Sequence, residues 1–324
     1  MISILIPAYN EQLYLNKTID NFISTAEGDV EVIVVLNGYD QEVDERAVVI
    51  RSPENIGERK AMNAAARIAK GEYLMRIDAH CDISEGWDTK MIEVLDKYPR
   101  GIAVSVLVGR DKNWKPEPGW YAFCKLLPTM EEKWTSKKEY GVIEPNMAFT
   151  GCGWVISKDF YWSFGGADET LPIMGAIGPE FALRAWLEGD GVYTRTDVVC
   201  GHIWNTGGYN TSDVVQVRKK LTEKWGSRYG EIMKKFPEHN EKPGTKTAKE
   251  HRTIVVERKD EHVTTDNATG KPIKKVIEVF KYVFEDDGTG PSETEISKKY
   301  GPKAKKVSEE LYYPNDVGDW IKVA

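Results

Sequence analysis

The sequence predicts an α/β protein with a mostly parallel sheet flanked by helices and a small α+β appendage at its carboxyl end. Three observations lead there. The first hundred residues alternate short apolar runs with amphipathic stretches. Those runs are apolar at successive positions, as in strands buried on both faces of a parallel sheet. After Pro237 the texture changes to an alternation of period two, which belongs to antiparallel hairpins.

Taken in order, ISILIPAY reads as a buried strand, and EQLYLNKTIDNFIST follows as a helix with Leu13, Leu15, Ile19, Phe22 and Ile23 on one side. VEVIVVLNG is a second strand and ERAVVIRS a third. ERKAMNAAARIAKG is an Ala-rich helix closed by Gly71, and EYLMRIDAH is a fourth strand. From Arg110 to about Pro145 an aromatic, charged stretch with Trp114, Trp120 and Trp134 predicts surface loops and a lid rather than sheet. MAFTGCGWVISKDFYWSFGGADE is strand-like and Gly-rich. GPEFALRAWLEGDG is a helix with Glu180 at its start, VYTRTDVVCGHIWNTGG a strand running into a glycine loop, and VVQVRKKLTEKWGSRYGEIMKKF a basic helical stretch. These residues, 1–236, form one expected domain, and 237–324 form the appendage. In the latter, TIVVERKDEHVTTDNATGKPIKKVIEVFKYVFEDD predicts a β-hairpin turning at Asp266 to Gly270, and Ser292 with Glu295 has the spacing of a helix capping box.

Composition narrows the function. Lys and Arg number 44 against 51 Asp and Glu, a net charge of -7, so no global basic field is available to hold nucleic acid by its phosphates. The segment from Glu241 onward holds sixteen basic and sixteen acidic side chains, which excludes a basic tail. No run approaches the roughly 20 apolar residues that span a bilayer, and MISILIPAYNEQ lacks the features of a signal peptide or anchor. The four cysteines Cys81, Cys124, Cys152 and Cys200 are widely spaced without a CxxC pair, so reduced thiols and a cytoplasmic location are expected.

In open α/β sheets, ligands bind beyond the carboxyl ends of the strands. The polar residues at those ends are Asn10 and Glu11, Asn37 to Asp40, and Asp78 with His80 in RIDAHCDISEGW. That last stretch reads on its own as a metal site, a nucleophile or the polar end of a strand. Cys81, one residue past His80, should face the other way on an extended chain and pack as a small hydrophobe.

The ordered set SILIPAYNE, VIVVLNGYD, RIDAHCDISEGW, FTGCGWVISKDFYWSFGGADE, PEFALRAW and VVCGHIWN resembles the family 2 glycosyltransferases. Within that group it looks most like the catalytic domain of the polypeptide N-acetylgalactosaminyltransferases. The resemblance covers roughly residues 1 to 230. It implies a GT-A fold and transfer of a sugar from a nucleoside-diphosphate sugar, a UDP-sugar by this likeness, to an acceptor hydroxyl on a protein or glycan. A phage DNA glycosyltransferase acting on hydroxymethylated bases is the alternative acceptor class, and a non-catalytic sugar-nucleotide-binding protein the alternative of another kind. The compact chain suits a bacterial or phage enzyme.

The resemblance also implies a cofactor, Mn²⁺ (or Mg²⁺), held by Asp78, His80 and His202. A divalent cation on the pyrophosphate stabilises the charge left on the departing phosphate. Pro7, Ala8, Tyr9 and Glu11 fall where the family holds the nucleobase, and Asn37 and Asp40 where its second strand ends. Arg59 stands near the basic position before the metal motif, within reach of phosphate, and Arg218 lies in the stretch where relatives close a loop on the pyrophosphate. Gly151, Trp154 and Asp168 match the Gly-rich strand and GG-x-D turn of the sugar pocket. Glu180 matches the acidic helix start near the acceptor, where inverting relatives keep their general base and the retaining N-acetylgalactosaminyl family has an acid that positions the sugar or acceptor, so the resemblance leaves the stereochemical outcome open. Here Gly178-Pro179-Glu180 replaces the usual Gly-Glu-Asn.

Overall fold

The computed structural model describes residues 1–204, 211–239, 252–265, 272–286, 305–314 and 320–322. The chain divides into two compact units, Met1–Asn240 and Glu241–Ala324.

In the first unit the apolar runs become the strands of one large sheet. β1 (Ile2–Ala8), β2 (Val30–Asn37), β3 (Ala47–Ser52) and β4 (Tyr73–Arg76) lie parallel in the order β4-β1-β2-β3. Beyond β4 the sheet continues through the antiparallel β11 (Trp154–Ser157) to β6 (Gly101–Arg110), parallel to β12 (Gly191–Ile203). The period-two geometry of a strand sends alternate residues to opposite faces. Leu5, Ile33 and Val35 join one core cluster; Ile4, Ile6, Val32 and Val34 join the other. α2 (Glu58–Ile68), α5 (Ile177–Glu188), α6 (Thr211–Trp225) and α7 (Tyr229–Met233) contribute apolar faces to the first cluster, and α1 (Leu15–Ser24) and α3 (Trp87–Lys97) to the second. Helices on both faces explain why the strand runs are continuously apolar.

Several expectations are corrected. Leu13 precedes α1 and is 82% exposed, while Leu15, Ile19 and Phe22 carry the buried face. Gly71 does not close α2, which ends at Ile68. Its α-carbon packs where an added Cβ would stand 2.6 Å from Ser3 Oγ, so close approach to β1 is what demands glycine. The stretch from Arg110 to Pro145 contains sheet: β7 (Pro116–Tyr121) on the edge beside β6, the hairpin of β8 (Phe123–Leu126) and β9 (Glu132–Thr135), and β10 (Ile143–Pro145) on β12. Prolines are tolerated in β7 because an edge strand need not donate on both sides. The strand-like FTGCGWVISKDFYWSFGG gives β11 followed at once by α4 (Lys158–Ser163), capped by the Ser157 hydroxyl accepting from the Phe160 N–H.

The described residues of the second unit form a four-stranded antiparallel sheet, β13 (Arg252–Thr265), β14 (Pro272–Asp286), β15 (Lys305–Pro314) and β16 (Trp320–Lys322). β13 and β14 are the expected hairpin. The turn at Asp266 to Gly270 and the Ser292–Glu295 cap lie outside the described residues.

Candidate active site

β1 and β2 are in register from Ile2 and Val30 to Ala8 and Leu36, and Leu5 pairs with Arg76, so β1, β2 and β4 all finish at one edge. The chain leaves β4 after Arg76, turns at Ala79 and His80, and re-enters the sheet as β5 (Cys81–Ile83), antiparallel to β12 with Cys81 opposite His202. That pairing carries His202 back to the turn after β4.

There His202 Nε2 lies 3.0 Å from Asp78 Oδ2. The Arg76 guanidinium holds the other carboxylate oxygen, Oδ1, at 2.8 Å, and also contacts Glu58. Desolvation pushes the Asp78 carboxyl up, but the Arg76 charge and the His202 hydrogen bond outweigh it and keep the group well below the usual carboxylate range. His80 Nδ1 stands 3.2 Å from Glu11 Oε2, and its ring meets that of His202 edge-on, centroids 4.9 Å apart. Burial alone would lower the His80 pKa; the hydrogen bond to Glu11 and the Asp78 charge raise it above the ordinary histidine value.

The donor atoms suit a divalent cation. A carboxylate oxygen and an imidazole nitrogen already face each other, and His202 Nδ1 is buried without a hydrogen-bond partner in the structure. Cys152 Sγ falls within the same 4.8 Å group of ligand atoms as Asp78 and His202. The third expected ligand, His80, abuts this pair with its Nδ1 turned toward Glu11.

Around this centre Pro7 and Ala8 end β1, with Ala8 buried and Tyr9 55% exposed. Tyr9 meets Tyr39 edge-on at 6.4 Å. Glu11 receives Gln41 through its backbone, whose N–H donates to Gln41 Oε1. Asp40 is exposed and paired with Arg51. Asn37 is occupied in bracing the next loop: its amide donates to Asn55 Oδ1 and its carbonyl accepts from the Ile56 N–H.

The other expected site residues make contacts away from the Asp78–His202 pair. Arg59 is 2% exposed and donates to Glu180 Oε2 at 2.8 Å and to the carbonyls of Pro172 and Gly175. Glu180 is fully buried, with Oε1 accepting from the Asp168 N–H and lying 3.0 Å from Arg184 Nη1. Both carboxylate oxygens are thus engaged within the protein. Trp154 sits in the core between Phe149 and Phe181, its indole N–H donating to the Gly151 carbonyl. Asp168 binds Thr170 and Lys224 at a cavity whose lining includes none of Asp78, His80 or His202. An added Cβ at Gly151 meets its nearest neighbours at ordinary van der Waals distances, 3.6 to 3.9 Å. Arg218 ties α6 to β9 by its contact with Glu132 at 3.2 Å, leaving its buried Nε without a partner in the structure.

Residues that the sequence reading passed over also converge here. Arg76 precedes Asp78 by two, so an extended chain presents both on one side; that signal was available. Cys152 and Trp204, whose ring lies 4.4 Å from that of His202, carried none.

A glycosyl transferase family 2 model matches residues 3–165, half of the chain and the part that holds β1 to β11 and the Asp78 turn. The chain belongs to this family. Curated relatives include polypeptide N-acetylgalactosaminyltransferase 3 of Taeniopygia guttata, 27% identical over 210 residues, covering 57% of this chain and 33% of the relative. N-acetylgalactosaminyltransferase 6 of Drosophila melanogaster is 26% identical over 229 residues, 63% of this chain and 34% of that protein. The family 2 chain therefore spans about a third of the length of these animal relatives. Among solved structures, GalNAc-T7 with UDP, GalNAc and Mn²⁺ superposes with a TM-score of 0.63 at 15% identity, covering 99% of this chain and 71% of that one. This likeness establishes the shared GT-A architecture. No helix among the described residues is long and apolar enough to cross a membrane.

Proposed function

We propose that this family 2 chain transfers a sugar from a nucleoside-diphosphate sugar, a UDP-sugar, to a hydroxyl of a protein or glycan, with Mn²⁺ (or Mg²⁺) as cofactor. The observation that carries the reading is the facing pair of Asp78 Oδ2 and His202 Nε2, 3.0 Å apart where parallel strands end. A divalent cation bound there supplies stabilisation of the negative charge that develops on the departing β-phosphate.

The chain's own residues have separable tasks. Arg76 keeps Asp78 ionised, so the anion is available at neutral pH. Glu11 orients the His80 ring beside His202. Tyr9 and Asp40, exposed at the ends of β1 and β2, border the edge where a nucleoside would lie. Trp204 continues from His202 to Tyr121 and on to Trp134, with ring centroids 6.0 and 5.1 Å apart, an aromatic wall fit to stack on an acceptor sugar or peptide. The Arg59–Glu180–Arg184 group positions the loop before α5.

Nucleic acid is the poorer acceptor. Of the basic side chains on α6, Arg218 contacts Glu132, Lys220 the Thr170 carbonyl and Lys224 Asp168, so these charges are engaged rather than arrayed for phosphates. Residues 1–236 are the catalytic body in this reading and 237–324 an appendage. Four free, buried thiols support a reducing compartment such as the cytoplasm. The test is calorimetric titration with UDP, with and without Mn²⁺, on wild type and Asp78→Asn. Metal-dependent binding that the substitution removes supports the proposal; UDP binding indifferent to metal overturns it.

A further inference from the structure

Three of the four cysteines, far apart in sequence, meet in space. Cys81 comes from β5, Cys200 from β12, and Cys152 from the turn that leads into β11. Their Sγ atoms all lie within 4.8 Å of one another, with Cys81 and Cys152 at 3.4 Å, and all three are free thiols. The backbone is built for this approach. The antiparallel register sets Cys200 opposite Ile83 and Cys81 opposite His202. Gly153 then turns the chain in the left-handed region at φ +74°, where a Cβ would stand 2.4 Å from Ser105 Oγ and 3.6 Å from the Cys200 Cβ. Only glycine lets Cys152 close on the other two.

We propose that Cys81, Cys152 and Cys200 form a site for one thiophilic d¹⁰ cation, of the Cu(I), Zn(II) or Cd(II) class, next to the carboxylate–imidazole pair of Asp78 and His202. Three sulfurs on an ion at a bond length near 2.3 Å sit about 3.8 Å apart, which the 3.4 Å between Cys81 and Cys152 and the 4.8 Å bound on all three bracket. An all-sulfur donor set prefers soft cations, whereas Asp78 and His202 present harder oxygen and nitrogen. Binding exchanges thiol protons for the metal, released to solvent. Cys152 is the one residue of the three with any exposure, 4% against 0% for the others, and it also belongs to the group with Asp78 and His202. A cation entering from the Asp78 side therefore meets Cys152 first. The proposal stands independently of the sugar-donor reading.

The experiment titrates Cd(II) into the full-length chain, kept reduced with a phosphine, and follows thiolate-to-cadmium charge-transfer absorption. The charge-transfer band is expected to saturate at one equivalent. Cys81→Ser and Cys200→Ser should each weaken it at least tenfold, whereas Cys124→Ser, in the core on the other face of the sheet, and Asp78→Asn should leave it in place. X-ray absorption on cadmium-loaded wild type, which needs no variant to fold, should give a first shell of three sulfurs. Absence of the charge-transfer band overturns the proposal. So does a shell of one sulfur with nitrogen and oxygen, which assigns the ion to Asp78, Cys152 and His202 instead.

Discussion

Replacing Glu180 separates two readings of the same residue. As an acceptor base it would affect rate and leave folding alone; as the centre of a buried ion cluster it affects folding. Its side chain is 1% exposed and its partners Arg59 and Arg184 are 2% and 5% exposed, at 2.8 and 3.0 Å. Glu180→Ala strands two buried guanidinium charges and the Asp168 N–H. Removing one partner of a buried pair costs about 3–5 kcal/mol, a large part of the roughly 5–15 kcal/mol that holds a domain together. At about 2–4 °C per kcal/mol for a unit of this size, Tm falls on the order of 10 °C. Glu180→Gln keeps the shape and an acceptor for the Asp168 N–H, so its loss should be smaller. Denaturant unfolding followed by tryptophan fluorescence measures both. The reasoning is refuted if Glu180→Ala unfolds within about 1 kcal/mol of wild type while donor turnover collapses.

Other substitutions probe separate parts of the account. His202→Ala should weaken Mn²⁺ binding at least about tenfold, about 1.4 kcal/mol, as measured by electron paramagnetic resonance of the free ion; unchanged affinity would remove His202 from the site. Gly178→Ala places a Cβ 1.8 Å from the Phe149 carbonyl at the start of α5 and should cost about 1–3 kcal/mol or more in unfolding experiments. Asp44 is lowered from 3.8 to about 2 by its hydrogen bonds with Arg46. A depressed acid stabilises the fold above its unfolded pKa and loses that contribution as pH falls through the folded value. Asp44→Asn should therefore lower stability at neutral pH, by less than about 1 kcal/mol because solvent screens the pair, and the difference should shrink below the unfolded value of 3.8 and vanish only below about 2.

The parallel half of the sheet was legible because its strands are buried on both faces and therefore apolar at every position. β7 to β9 were not, since PEPGWY carries two prolines and a glycine, FCKL and EKWT are only four residues each, and all three pair only at an edge or in a hairpin. The convergence of Asp78 and His202 was legible from the motifs that carry them: the two meet, although 124 residues separate them. The pairing of Arg59 with Glu180 was not legible, for a physical reason. A single sequence does not distinguish a buried ion pair from two exposed charges when its members lie 121 residues apart. One clue was present in FALRAWL, since a helix apolar all round is buried, and an Arg184 one turn after Glu180 on it must be paired. The convergence of Cys81, Cys152 and Cys200 left no trace in spacing, because a turn and two strands from distant segments create it.

The most direct test of the central claim is hydrolysis of a panel of UDP- and GDP-sugars by the full-length chain, with and without Mn²⁺, for wild type, Asp78→Ala and His202→Ala. The account predicts that a UDP-sugar is cleaved slowly, only with metal, and that both substitutions abolish the reaction. Turnover that persists in either variant, or the absence of any metal-dependent cleavage across the panel, would contradict it.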